Sequence, residues 1–159
     1  MKITRRQIAA LSLSASALVG IAGWETYRES AYFATEHERQ VGVSTIGWGT
    51  TDGVRPGDKT TPDKALVRLL ADASRFEQRL RACIGDDVQM TQGEWDAVVS
   101  WAYNVGAGAA CSSTLVRKAK AGQPFCAELL RWTKQNGREL EGLVKRRQAE
   151  YRTCTGAKQ

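Results

Sequence analysis

The sequence predicts an α+β fold that is mostly helical, with one small antiparallel sheet and an uncharged helix ahead of it. Three observations predict it. Leu66, Leu69, Leu70, Ala73, Phe76, Leu80 and Cys83 recur at helical spacing, as do Trp95, Val98, Val99, Ala102 and Tyr103. In Thr45-Ile46-Gly47-Trp48-Gly49-Thr50-Thr51, β-branched and aromatic residues alternate with glycine, the pattern of a tight strand pair whose glycines allow a close approach to the backbone. The third is the run from Gln7 to Trp24, 18 residues without a charge.

Residues 1–23 read as a segment separate from a domain over 24–159. Lys2, Arg5 and Arg6 form a basic start, and the uncharged run that follows would span about 27 Å as a helix, close to the ~30 Å hydrocarbon core of a bilayer. Ser12, Ser14, Ser16, Gly20 and Gly23 dilute its apolarity. The segment therefore fits either a weak membrane anchor or a signal peptide, with Ala15-Ser16-Ala17 or Gly20-Ile21-Ala22 as small-residue cleavage sites. Glu25 comes next and opens an apparent helix, followed by Glu29, Glu36, the single histidine His37, and Glu38.

After the strand pair, Asp52-Gly53 and Arg55-Pro56-Gly57-Asp58 are turn signals. Thr61 before Pro62 starts a long amphipathic helix, because proline suits the first helical position. Thr91-Gln92-Gly93-Glu94 is a capping box opening the next helix, which the glycines at 106 and 108 end. Short helices follow over Ser113–Ala121, stopped by Gly122, and over Pro124–Thr133. Asn136-Gly137 marks a turn, and Leu140, Leu143, Val144, Tyr151 and Cys154 define the apolar face of a last helix.

At 159 residues the chain can bury one sizeable core. Its charge of +6 is uneven, since Arg131 to Gln159 holds eight Lys or Arg against three Glu. A basic C-terminal helix suits an anionic polymer, and without a nucleic-acid motif beside it no nucleic-acid partner is expected. Cys83, Cys111, Cys126 and Cys154 form no CxxC pair, and with one histidine they argue against a zinc site. Two disulfides in an oxidising compartment are expected, with Cys83–Cys111 and Cys126–Cys154 favoured because each joins neighbouring helical segments.

Glu25, Ala31-Tyr32 and Gly42-Val43-Ser44-Thr45-Ile46-Gly47-Trp48-Gly49 together resemble the active-site segment of the phage-type lysozymes, glycoside hydrolase family 24. Ala102-Tyr103-Asn104-Val105-Gly106-Ala107-Gly108, Ser113-Thr114-Leu115, Leu130-Arg131-Trp132 and Gly142-Leu143-Val144-Lys145-Arg146-Arg147 follow in the family's order. The resemblance implies a lysozyme-like fold with the small sheet at the active site. It also implies hydrolysis, with inversion, of the β-1,4 bond between N-acetylmuramic acid and N-acetylglucosamine in peptidoglycan. No metal or organic cofactor is expected, and the protein is expected to be a monomer. Glu25 matches the general acid, although Thr26 stands where the family usually has glycine. Thr45 matches the threonine that holds the attacking water, and Asn104 is the candidate for touching substrate. The family's aspartate is missing, because Ala34 stands at its place. An insertion within Ala34–Gln40 offers Glu38 first, or Glu36, as the second carboxylate, while a single-glutamate lytic transglycosylase is the alternative. His37 reads as a loop residue. Some endolysins of this kind carry a signal-anchor-release segment, which implies a tethered inactive form in the host inner membrane and a released active form in the periplasm. A wall-binding protein without catalysis is the alternative of a different class.

Overall fold

The computed structural model describes residues 4–157. Met1, Lys2 and Ile3 of the basic start lie outside the described residues. The chain forms two compact units, one of residues 18–74 and one that joins residues up to 17 to those from 75 onward.

The first unit is built around a hairpin. Strands β2 (Arg28–Tyr32) and β3 (Thr45–Gly47) pair antiparallel, with Arg28 opposite Gly47 and Tyr32 opposite Thr45. The glycine-interrupted run supplies one strand of this small sheet, and the partner strand lies where a helix opened by Glu25 was expected. Two further two-stranded ladders, β1 (Arg6–Gln7) with β4 (Gln89–Met90) and β5 (Lys134–Gln135) with β6 (Arg138–Glu139), lie in the other unit. The second of these turns at Asn136-Gly137, both at positive φ. Between β2 and β3 the insertion folds as a short helix, α2 (Glu36–Val41), capped by the Thr35 side chain and closed by Gly42 in the left-handed region. Gly47 explains its own presence. Its φ is +65, and a Cβ there would lie 2.9 Å from the Ala65 Cβ. The close approach that the glycines suggested is thus made by a helix of the same unit.

That helix, α3 (Pro62–Ile84), starts with proline at its first position and runs on into the second unit. Leu69, Ala73 and Leu80 are its buried residues among those expected, while Leu66 and Leu70 stay exposed. Midway along it a buried 2.6 Å bond from the Thr50 hydroxyl to Asp72 ties down the turn after β3.

In the second unit, α4 (Gln92–Val105) carries the capping box as expected: Thr91 accepts from the Glu94 amide, and Glu94 accepts from that of Thr91. Every residue from Glu94 to Ala102 is buried, so the helix is enclosed all round instead of presenting one apolar face. Trp95 and Trp101 are fully buried, and Trp132 stacks edge-on against Trp101 at 5.1 Å. Helices α5 (Ala107–Cys111) and α6 (Thr114–Lys120) follow. Of the helix expected over Pro124–Thr133, a tighter 3-10 turn over Cys126–Arg131 forms. Both favoured disulfides are present, Cys83–Cys111 and Cys126–Cys154.

Three sequence-based expectations change. The last helix, α7 (Glu141–Thr155), buries Arg146, Arg147, Glu150 and Cys154, while Leu140 is exposed and Leu143 and Val144 are half-buried. Its inward face is charged because the charges pair with each other. Glu25 does not open a helix: α1 (Ala15–Trp24) ends just before it, and its amide donates back to Ala22 at 3.3 Å. Finally, the uncharged run is not one long helix. Only Ala15–Trp24 is α-helical, and no helix among the described residues is long and apolar enough to cross a membrane.

The residues ahead of α1 instead pack into the second unit. Ile8 and Leu11 are buried in its core with Leu80, Ile84, Met90 and Trp95. The backbone there is satisfied by long-range partners, as buried polar groups require. The Ile8 amide donates to Val88 at 2.9 Å, and the Arg81 guanidinium holds the carbonyls of Ile8 and Leu11. The Leu13 amide donates to Glu77 at 2.7 Å, and Ser14 bonds Asp96 through its amide and hydroxyl at 2.9 and 2.7 Å. Division of the chain at residue 23 therefore coincides with neither unit boundary.

Candidate active site

The hairpin unit holds three of the candidate residues. Glu25 is half-buried and follows the last turn of α1 directly. Thr45 opens β3 and is 4% exposed, so its hydroxyl must be satisfied within the protein. It donates to Glu38 Oε2 at 3.2 Å. The same oxygen accepts the Ala34 amide at 2.7 Å, while the Glu38 amide donates to the Thr35 hydroxyl at 3.1 Å. The helical insertion thus swings a carboxylate back against the first residue of β3. The structure brings Thr45 and Glu38 together, seven residues apart in sequence. With its proton committed to Glu38, the Thr45 oxygen keeps lone pairs with which to accept from another group.

Glu36 is placed differently. Its side chain is 73% exposed and meets Arg39 at 3.5 Å, a surface pair of little consequence. His37 is exposed as expected, but on the first turn of α2 rather than in a loop. Tyr27 and Trp48 pack against each other at 5.2 Å beside the β2–β3 ladder, and the Tyr27 hydroxyl donates to the Thr60 carbonyl at 3.1 Å.

Asn104 lies in the other unit, exposed in the last turn of α4. Its Oδ1 accepts from Arg147 Nη2 at 3.0 Å. Arg147 is fully buried, and Glu150 holds it at 2.9 Å through Nε and 3.2 Å through Nη2. Glu150 also accepts from Ser100 at 2.9 Å and from Arg146 at 3.3 Å. Burial pulls the Arg147 guanidinium down to about 10 against the opposing pull of Glu150, and it remains charged at neutral pH. Sequence reasoning assigned no role to this cluster. The available signal was two adjacent arginines placed four and three residues before a glutamate on one helix.

Comparison with known proteins follows the same residues. A profile of the family described as Phage lysozyme matches residues 22–150. The endolysin of Bacillus phage B103 is 37% identical over 88% of this chain, which spans about half of that protein (52%). The SAR-endolysin of Pseudomonas phage phiKMV is 35% identical over 92% of this chain and 88% of its own length. Among solved structures, an endolysin from Escherichia coli O157:H7 phage FAHEc1 superposes with a TM-score of 0.73 at 32% identity, covering 91% of this chain and 93% of its own.

Proposed function

The chain belongs to the phage lysozyme family, and from that premise we propose that it is an endolysin cleaving the β-1,4 glycosidic bond of peptidoglycan by direct hydrolysis. Glu25 is the general acid, protonating the leaving oxygen between N-acetylmuramic acid and N-acetylglucosamine. Thr45 holds the attacking water through the lone pairs of its hydroxyl. Glu38 fixes that hydroxyl and supplies the second carboxylate that stabilises the oxocarbenium-like transition state. The observation that carries this assignment is the Thr45–Glu38 hydrogen bond, because it gives the insertion a chemical use that Glu36 lacks.

The N-terminal residues deliver the enzyme. In this reading the run from Gln7 to Trp24 first tethers the chain in the host inner membrane, with the basic start on the cytoplasmic side. On release into the periplasm, the packing of Ile8 and Leu11 in the helical unit offers the segment a place to go. Burying these side chains offsets the loss of their lipid surroundings, and the bonds from Arg81, Glu77 and Asp96 satisfy the backbone.

A turbidity assay on permeabilised cells tests the catalytic assignment. Glu25→Gln abolishes lysis, Glu38→Gln lowers the rate by about 10²-fold, in the range of a lost general acid–base or electrostatic group, and Glu36→Gln leaves it unchanged. Equal loss in Glu36→Gln and Glu38→Gln contradicts the role given to the Thr45 contact. Wild type and Glu25→Gln that are alike inactive yet bind wall would establish a wall-binding protein.

A further inference from the structure

We infer that Arg147 is a positioning residue that turns the Asn104 carboxamide so that its amide protons face outward, as donors to a carbonyl or hydroxyl oxygen of the saccharide. The inference rests on the muramidase reading and on Asn104 touching substrate.

The orientation follows from donor counting. A guanidinium has only donors, so the Asn104 atom 3.0 Å from Arg147 Nη2 must be Oδ1. That leaves Nδ2, with both its protons, on the side away from Arg147. Asn104 is exposed at the end of α4, where Gly106 at φ +88 breaks the helix, so these protons reach solvent. The guanidinium that sets the orientation cannot swing. It is fully buried, and Glu150 is itself held by Ser100 and Arg146.

A purely structural role explains this arrangement poorly. Two guanidiniums and a carboxylate removed from water carry a large desolvation cost, and apolar residues of similar volume would pack more favourably. Arg147 Nη1 and Trp101 Nε1 have no hydrogen-bond partner among the described residues, so satisfaction of buried groups does not account for the cluster either. What it does provide is a rigid hold on one face of one exposed amide.

Asn104→Asp separates the roles, because it keeps an acceptor for Arg147 and removes both outward protons. With soluble murein fragments as substrate, Asn104→Asp raises KM by about tenfold, while kcat stays within about twofold and the melting temperature is unchanged. Arg147→Lys keeps the pairing with Glu150 without the planar fork, and raises KM by a smaller factor. In ¹⁵N spectra of the wild type, the Asn104 side-chain amide pair shifts on titration with the fragments. Unchanged KM in Asn104→Asp, or an amide pair that does not respond, overturns the inference. A wild type unable to cut murein overturns the muramidase reading and this inference with it, whereas an active wild type with an indifferent Asn104→Asp overturns this inference alone.

Discussion

Replacing Ile8 by alanine tests whether the N-terminal segment is part of the folded helical unit. Ile8 is fully buried, within the cluster that includes Leu80, Ile84, Met90 and Trp95. Truncating such a side chain costs about 3 kcal/mol, from lost transfer free energy together with the cavity left behind. The loss falls first on the docking of residues 5–14, because their backbone partners Arg81, Glu77 and Asp96 remain in place. Opening of the segment then becomes about 150-fold more frequent. Native-state hydrogen exchange reads this directly through the Ile8 and Ala9 amides, which donate to Val88 at 2.9 Å and to Asp86 at 3.2 Å. Their protection falls by that factor in Ile8→Ala, while amides of the hairpin unit, such as Thr60 bonded to Glu29, are unaffected. Equal protection in the two proteins refutes the packing described for Ile8.

Each disulfide spans a sequence separation of 28, so chain entropy gives both the same contribution, about 3.6 kcal/mol at 25 °C. Urea unfolding of the two paired Cys→Ser variants should show similar losses; a loss under about 1 kcal/mol for either pair contradicts the entropic account. Gly93→Ala places a Cβ 2.4 Å from the Thr153 carbonyl oxygen, so the packing of α4 on α7 has to shift. It lowers stability by about 1–3 kcal/mol despite alanine's better helix propensity, and a stabilised variant on urea unfolding contradicts that contact. The Glu128 carboxyl is held below its ordinary value chiefly by Lys118 at 2.6 Å, with Arg131 adding and burial opposing. Because its folded value is depressed, its contribution is present above the unfolded value of 4.5 and is lost as pH falls through the folded value. Melting curves at pH 3 to 6 should thus fall more steeply for wild type than for Glu128→Gln, and parallel curves contradict the assignment.

Much of the fold was legible because it is written in local chemistry. The capping box at Thr91 and Glu94 needs only four adjacent residues, and Thr61-Pro62 only two. The run from Thr45 to Gly47 was legible as a strand for the same reason, but its partner was not, since Arg28–Tyr32 lies where a helix opened by Glu25 was expected. The inward face of α7 was not, because hydropathy assigns charges to the surface and cannot see that Arg147 and Glu150 neutralise each other. The uncharged run reads as a membrane segment on composition, whereas its partners Arg81, Glu77 and Asp96 lie more than 60 residues away in sequence. At the candidate site, the motif points to Thr45 and the insertion offered Glu38 ahead of Glu36, but the contact between Thr45 and Glu38 depends on α2 and was not legible. A capped helical turn aims one glutamate at Thr45 and leaves the other in solvent.

Mass spectrometry of murein digested by the protein tests the central claim most directly. The proposed hydrolysis, with Glu25 as general acid, predicts muropeptides with reducing ends from the wild type and none from Glu25→Gln. Products ending in 1,6-anhydro sugars would contradict water held at Thr45 as the attacking group, and would make the enzyme a transglycosylase.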